Sequence, residues 1–224
     1  MRITYHGHSC FMLEGKTDSI IIDPFLCNNP MARIKPSDVK VSAVLVSHGH
    51  ADHLGDAVWI SKKNHAPVIA PFELVNYCIS KGAQGHAMHI GGSHGFPFGR
   101  VKLTIAHHGS TTDEGAATAT PCGFIITMED KTVYHAGDTG LFYDMALIGE
   151  TNPLDIALLP IGDNFTMGIE DAIRAVKMLR PKVTVPMHYN TFDMIKADPR
   201  LFAAGLKGWP VEVRILNPGE GFAI

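Results

Sequence analysis

The chain has 224 residues, 46% hydrophobic and 18% charged, which supplies a sizeable core and fits one domain over 1–224 better than two. Lys and Arg number 19 against 22 Asp and Glu, a net charge of −3 with no long basic run, so the positive excess of a nucleic-acid groove is missing. Apolar stretches are too short for a membrane span, and the start Met1-Arg2-Ile3-Thr4-Tyr5-His6 lacks the apolar segment of a secretory signal. Cys10, Cys27, Cys78 and Cys122 are scattered without a C-x-x-C pair, so reduced thiols in a cytoplasmic protein are expected rather than a disulfide framework.

Residues 2–6 and 10–14 read as strands flanking Gly7-His8-Ser9. A third strand over 19–23 ends at Asp23-Pro24, because proline offers no amide donor. Segment 41–47 is β-rich and apolar almost throughout, the pattern of a strand buried on both faces. It runs directly into His48-Gly49-His50-Ala51-Asp52-His53. Leu54, Ala57, Val58 and Ser61 then recur at helical spacing, with Lys62 and Lys63 suited to a helix C-terminus. Strand and helix alternate from there. Segment 67–70 is extended and 72–81 helical; 101–106, 123–128 and 132–135 are strands, with Gly91-Gly92 and Phe96-Pro97 marking loops. Late strands over 155–160, 183–187 and 211–216 are interleaved with helices. The clearest helix covers 169–180: positions 169, 172, 173, 176 and 179 form one apolar stripe, Glu170 and Asp171 sit in the first turn, and Pro181 stops it. The class is mixed α/β.

Thirteen histidines, more than Trp and Tyr together, are the compositional outlier. His48-x-His50-x-Asp52-His53 puts four ligand-capable side chains into six residues after a buried strand. In extended or turning backbone His48 and His50 point the same way and can converge on one ion, while Asp52 and His53 turn toward a second. A solvated polar loop would draw instead on Ser, Asn, Gly and Lys. Each ion needs about three or four protein ligands, so partners must come from later strand ends. Three segments offer them: Ala106-His107-His108-Gly109-Ser110, Tyr134-His135-Ala136-Gly137-Asp138-Thr139-Gly140, and Pro186-Met187-His188-Tyr189-Asn190-Thr191. Each is weak alone. Together they fall at strand C-termini, where open α/β sheets gather their ligands.

The H-x-H-x-D-H run, a later His, an Asp in a Gly-Asp-Thr-Gly turn and a terminal His resemble the metallo-β-lactamase superfamily. Tyr5 to Phe11, Ile22-Asp23-Pro24-Phe25, Leu159-Pro160-Ile161-Gly162 and Pro186 to Phe192 are similar to its branch of small bacterial and archaeal metal-dependent hydrolases. Relatives of that branch include L-ascorbate 6-phosphate lactonase and N-acyl-phosphatidylethanolamine phospholipase D. The resemblance implies a four-layer αβ/βα sandwich with the site at one edge of two sheets. It gives His48, His50 and a central His to a first metal, Asp52, His53 and His188 to a second, and makes Asp138 the bridge. The branch's Ala-x-His pattern aligns His108 with the central ligand and leaves His107 as the alternative; Gly109 departs from the pattern. Asp52, Asp138 and His188 are the residues expected in catalysis. Asp23 fits a carboxylate that accepts a ring N–H from a metal-bound His, with a plain strand-end turn as the other reading. His8 is either near the site rim or packed in the core.

The expected reaction is hydrolysis of an ester-type bond, lactone or phosphodiester, in a small molecule by water ionised between two divalent ions. Zn²⁺ is preferred, with Mn²⁺ or Fe²⁺ as alternatives. No G-x-S-x-G elbow supplies a serine nucleophile. His50 stands where flavodiiron-type relatives place Glu, which disfavours an oxygen-reducing di-iron centre. A single-iron sulfur dioxygenase and a non-catalytic metal-binding scaffold are the alternatives. A small-molecule substrate is the expected partner, without nucleic acid or a membrane span; a homo-oligomer is left open. His135, Asn190 and His188 are candidates to bond a developing oxyanion or leaving group. His86, His89 and His94 read as exposed loop histidines, and 91–99 as an insert able to overhang the site. Phe165 and Met167 read as core rather than pocket lining, and Asp163 and Asn164 either approach the substrate or cap the following helix.

Overall fold

Apolar side chains alternate along the strands, and burying both sets requires layers on each side of a sheet. The computed structural model describes residues 1–118 and 120–224. In the first sheet β1 (Arg2–Gly7), β2 (Cys10–Glu14) and β3 (Ser19–Ile22) run antiparallel, and β4 (Ala43–Leu45), β5 (Val68–Pro71) and β6 (Gly85–Met88) continue in parallel. The second sheet repeats the plan. β7 (Ser93–Phe96), β8 (Gly99–Ile105), β9 (Cys122–Met128) and β10 (Lys131–His135) are antiparallel; β11 (Ile156–Pro160), β12 (Val183–Met187) and β13 (Glu212–Val213) follow in parallel. A last strand, β14 (Gly221–Ala223), returns to pair antiparallel with β1, giving two sheets of seven.

β4 shows why its segment is apolar throughout. Ala43 and Leu45 join the cluster between the sheets with Phe11, Leu103 and Phe124. Val44 and Val46 point the other way, into a second cluster with Ile60, Leu74 and Val75 from α2 (Ala57–Asn64) and α3 (Phe72–Ser80). The short α1 (Ala51–Leu54) precedes these. Ile20 and Ile22 likewise face inward and Ile21 outward, all fully buried. Each such side chain contributes about 1.5–3 kcal/mol of burial. On the second sheet, α5 (Ile169–Leu179) buries Ala172, Ala175, Val176 and Leu179, and packs beside α4 (Met145–Thr151) and α6 (Pro199–Gly205). The result is the expected four-layer αβ/βα sandwich.

Differences from expectation lie where pairing decides. Residues 93–96 form a strand rather than a loop, because a tight hairpin sets Phe96 opposite Gly99 and lends this segment β8 as partner. Gly99 is obligatory there: its φ is +147°, and a Cβ would lie 2.1 Å from the Thr127 carbonyl oxygen. The strand expected over 211–216 shrinks to the two residues that find partners on β12. Helix α5 ends at Leu179 because Arg180 takes the left-handed conformation. Among the described residues no helix is long and apolar enough to cross a membrane, and all four cysteines are free.

The strand ends prepare a site. Loops after β1, β3, β4, β8, β10 and β12 meet along one rim, where three hydrogen bonds tie the sheets together. Cys122 N–H donates to the Ser47 carbonyl at 3.0 Å, His188 N–H to the His8 carbonyl at 2.8 Å, and His135 Nε2–H to the Ser9 carbonyl at 2.9 Å.

His6, on β1, is 4% exposed and neither ring nitrogen has a hydrogen-bond partner among the described residues. Burial pushes its pKa down to about 4. The unfolded chain therefore takes up this proton first as pH falls, and stability is lost between about pH 6.5 and 4. His6→Leu should raise stability by about 1–3 kcal/mol and flatten its pH dependence across that window, read from denaturant unfolding at pH 7 and pH 5. An unchanged acid limb would show that His6 does not carry it.

Candidate metal centre

The centre is built outward from Asp23, which closes β3 in the left-handed conformation, φ 45°, and is fully buried. Its carboxylate accepts from Ser47 N–H at 2.7 Å, from Ser47 Oγ–H at 2.7 Å and from His53 Nδ1–H at 2.8 Å. A carboxylate only accepts, so the Ser47 hydroxyl proton is committed to it. Ser47 Oγ, 2.9 Å from His48 Nδ1, must then accept the Nδ1–H of that ring. One buried acid thus fixes two tautomers and leaves the Nε2 lone pairs of His48 and His53 facing the centre.

His48, His50 and His108 form one group in which ligand atoms lie within 4.8 Å of one another; His48, His53 and Asp138 form a second, and His8, Asp52, His53 and His188 a third. His48 Nε2 is 2.9 Å from His50 Nδ1. Asp138 lies between: Oδ1 is 3.2 Å from His53 Nε2, and Oδ2 is 3.0 Å from His188 Nε2 and 3.6 Å from His108 Nε2. Yet His53 Nε2, Asp138 Oδ1 and both His188 ring nitrogens are buried with no hydrogen-bond partner among the described residues. The 3.0 and 3.2 Å contacts have the length of hydrogen bonds without their direction. Atoms aimed past each other at shared points are what a cation requires, and leaving each unsatisfied costs about 1–3 kcal/mol. The imidazole and carboxylate donor set suits a divalent first-row ion.

Burial pushes the His48 pKa well down, helped by neighbouring His53, so its ring is neutral. Burial also lowers His108. For Asp138 burial acts upward, but His188 and His53 hold it well below the usual carboxylate range. Burial acts downward on His53, and Asp138 with Asp23 overrides it, lifting the metal-free ring well above its ordinary value, so a cation taking up the Nε2 lone pair would displace a proton there. Asp52 is lowered in spite of burial by the His8 hydrogen bond.

His107 is not in the cluster. Its exposed ring stacks on Phe142 at 5.0 Å, while its N–H donates to Thr139 Oγ1 at 2.9 Å and anchors the loop. His135 is corrected from a substrate contact to a strut: Nε2–H is held by the Ser9 carbonyl and Nδ1 accepts Gly137 N–H at 3.1 Å. Asn190 is exposed, with Oδ1 accepting Ala197 N–H. Asp163 and Asn164 sit in a left-handed turn and do not cap α5, whose N-cap is Gly168. Met167 is core, as expected, and Phe165 is 49% exposed. His86 and His94 meet across the edge strands β6 and β7 with ring centroids 4.3 Å apart, so residues 93–96 form a sheet edge rather than an overhang.

For His8 the sequence left two places open, the site rim or the packed core, and the structure shows it both buried and beside the cluster. Fully buried with φ 58°, it lies with its ring centroid 4.1 Å from that of His188. Nε2 is 3.0 Å from Asp52 Oδ2 and Nδ1 is 2.9 Å from Thr191 Oγ1. Burial and His188 lower its pKa to about 4. The neutral ring donates Nε2–H to the carboxylate and accepts the threonine hydroxyl proton at Nδ1.

Known proteins share this arrangement of strands and loops. The family described as the beta-lactamase superfamily domain matches residues 2–188. A UPF0173 metal-dependent hydrolase of Pelotomaculum thermopropionicum is 53% identical over 229 residues, covering all of both chains. The structure of Igni18, a metallo hydrolase from the archaeon Ignicoccus hospitalis, superposes with TM-score 0.91 at 40% identity, over all of this chain and 98% of its own. An isothiocyanate hydrolase from Delia radicum gut bacteria is alike in fold alone, with TM-score 0.78 at 22% identity over 100% and 99% of the two chains. Matched from its first strand to the last histidine of the cluster, the chain belongs to the metallo-β-lactamase superfamily, as one of its metal-dependent hydrolases.

Proposed function

We propose that this centre hydrolyses an ester-type bond of a small molecule with two divalent ions. His48, His50 and His108 would hold the first, Asp52, His53 and His188 the second, with Asp138 available to both; Zn²⁺ is the preferred metal, with Mn²⁺ or Fe²⁺ as alternatives. When bound, two such ions lower the pKa of a shared water toward about 7 and polarise the oxygen of the bond under attack. The observation that supports this reading best is the unpartnered set of His53 Nε2, His188 Nε2 and Asp138 Oδ1 at the buried floor of the cluster.

The protein's own groups orient and exclude. Asp23 and Ser47 keep the Nε2 lone pairs of His48 and His53 turned inward. His8 steadies Asp52 on the open side. Asp138, His53 and His188 are almost fully buried and keep bulk water from the floor, whereas His50, Asp52 and His108 are partly exposed and leave a way in for substrate. The Asp56 hydrogen bond raises the thiol pKa of exposed Cys27, which disfavours its nucleophilic thiolate.

Zinc-loaded protein should turn over bis(p-nitrophenyl) phosphate or a member of a lactone panel, and chelator should abolish the activity until metal is restored. Turnover insensitive to chelator, or oxygen uptake in place of hydrolysis, would overturn the reading. Asp23→Asn turns an amide donor toward His53 and should weaken metal binding roughly 10- to 100-fold in calorimetric titration, with the circular dichroism unchanged. His8→Leu should weaken one of two bound ions by about tenfold, while His8→Gln, which keeps a donor at the position of Nε2, should stay close to the native affinity. Equal affinities for both variants would leave His8 a packing residue.

A further inference from the structure

Two clefts open on either side of the centre. One, of about 570 Å³, reaches Asp52 and is walled by Phe25, Leu54, Tyr77 and Phe192, with Asp113 and Glu114 at its rim. The other, of about 700 Å³, reaches His108 and is lined by Glu73, His89, Ile90 and Pro121. Both have the size of small-molecule sites. Among the described residues neither wall contains a Lys or Arg.

The charges nearby are already matched or negative. Lys81, beside the first rim, is bound by both oxygens of Glu114 at 2.8 Å. Asp56, also in that wall, accepts the amides of Leu26 and Cys27. Asp113 is exposed and makes no ion pair among the described residues. Within the centre, Asp23, Asp52 and Asp138 together with one ionised water carry as much negative charge as two divalent ions carry positive. No positive charge is left over for an anionic group elsewhere on a substrate. A phosphate or carboxylate against Phe25, Tyr77 and Phe192 would give up hydration and meet no cationic side chain in that wall.

Resting on the hydrolytic reading above, we infer that the clefts take an uncharged carboxylic ester or lactone with an aromatic or branched apolar substituent, and reject molecules bearing an anionic group away from the reacting bond. The substituent lies against the Phe25, Tyr77 and Phe192 wall and the remainder extends past His108. In the reaction the water oxygen bonds to the carbonyl carbon, the ester C–O bond breaks, and the leaving oxygen takes the proton that the water gave up.

The test compares two probes with the same metal-binding head, benzohydroxamic acid and its 4-carboxylate derivative, by calorimetry on zinc-loaded protein. The uncharged probe should bind at least about tenfold more tightly, and Asp113→Lys should narrow the gap several-fold. Equal or tighter binding of the carboxylated probe overturns the inference, as does failure of both to bind metal-loaded protein. Turnover of matched uncharged aryl esters is followed separately. If the binding preference holds and no chelator-sensitive turnover is found, the hydrolytic reading fails while the assignment of the clefts stands.

Discussion

Everything at the rim depends on burying Asp23 with its charge intact. An isolated carboxylate in an apolar interior is prohibitively unfavourable, and this one is admitted because three donors reach it. Two of those donors belong to Ser47, at the mouth of β4, and the third to His53, one helical turn beyond. Asp23 itself ends β3, the parallel neighbour of β4, with Ile22 opposite Leu45. Ligand geometry is thereby inherited from strand register. A slip of one residue between these strands would carry Ser47 away from the acid and release both imidazole tautomers together.

The backbone at the centre is held in unusual conformations. His8, Asp23 and His188 all have positive φ without being glycine, each at a cost of about 1–2 kcal/mol. Compensation is local: His188 N–H donates to the His8 carbonyl across the sheet boundary, and Asp23 gains the contacts described above. Gly162 makes room for this crossing, since a Cβ there would lie 2.1 Å from the His188 carbonyl oxygen.

What could be read from the sequence was what is contiguous or periodic. His48 to His53 declared itself because four donors crowd six residues, and the α5 stripe because its period is unmistakable. His107 and His108 are adjacent, and only the three-dimensional setting separates them: one ring has Phe142 to stack on, the other has Asp138. His8 resembled any core histidine, because its meaning comes from Thr191, 183 residues away in the chain. His135 erred in the opposite sense, polar and close to the ligands but saturated by two backbone partners. Edge strands β6 and β7 were invisible since their β character is conferred by neighbours rather than by composition.

The doubled plan of the sheets has a consequence for biosynthesis. The first sheet brings His8, Asp23 and the His48 to His53 run; the second brings His108, Asp138 and His188. Neither assembles a full set of donors alone, and the donors most distant in sequence must be docked before a cation finds its last contacts. On the proposed ligand set ion capture would be a terminal event: a nascent polypeptide emerging from the ribosome lacks His188 at the cluster until β12 has joined the sheet. On the proposed ligand set a cation would act as a clasp across the two halves.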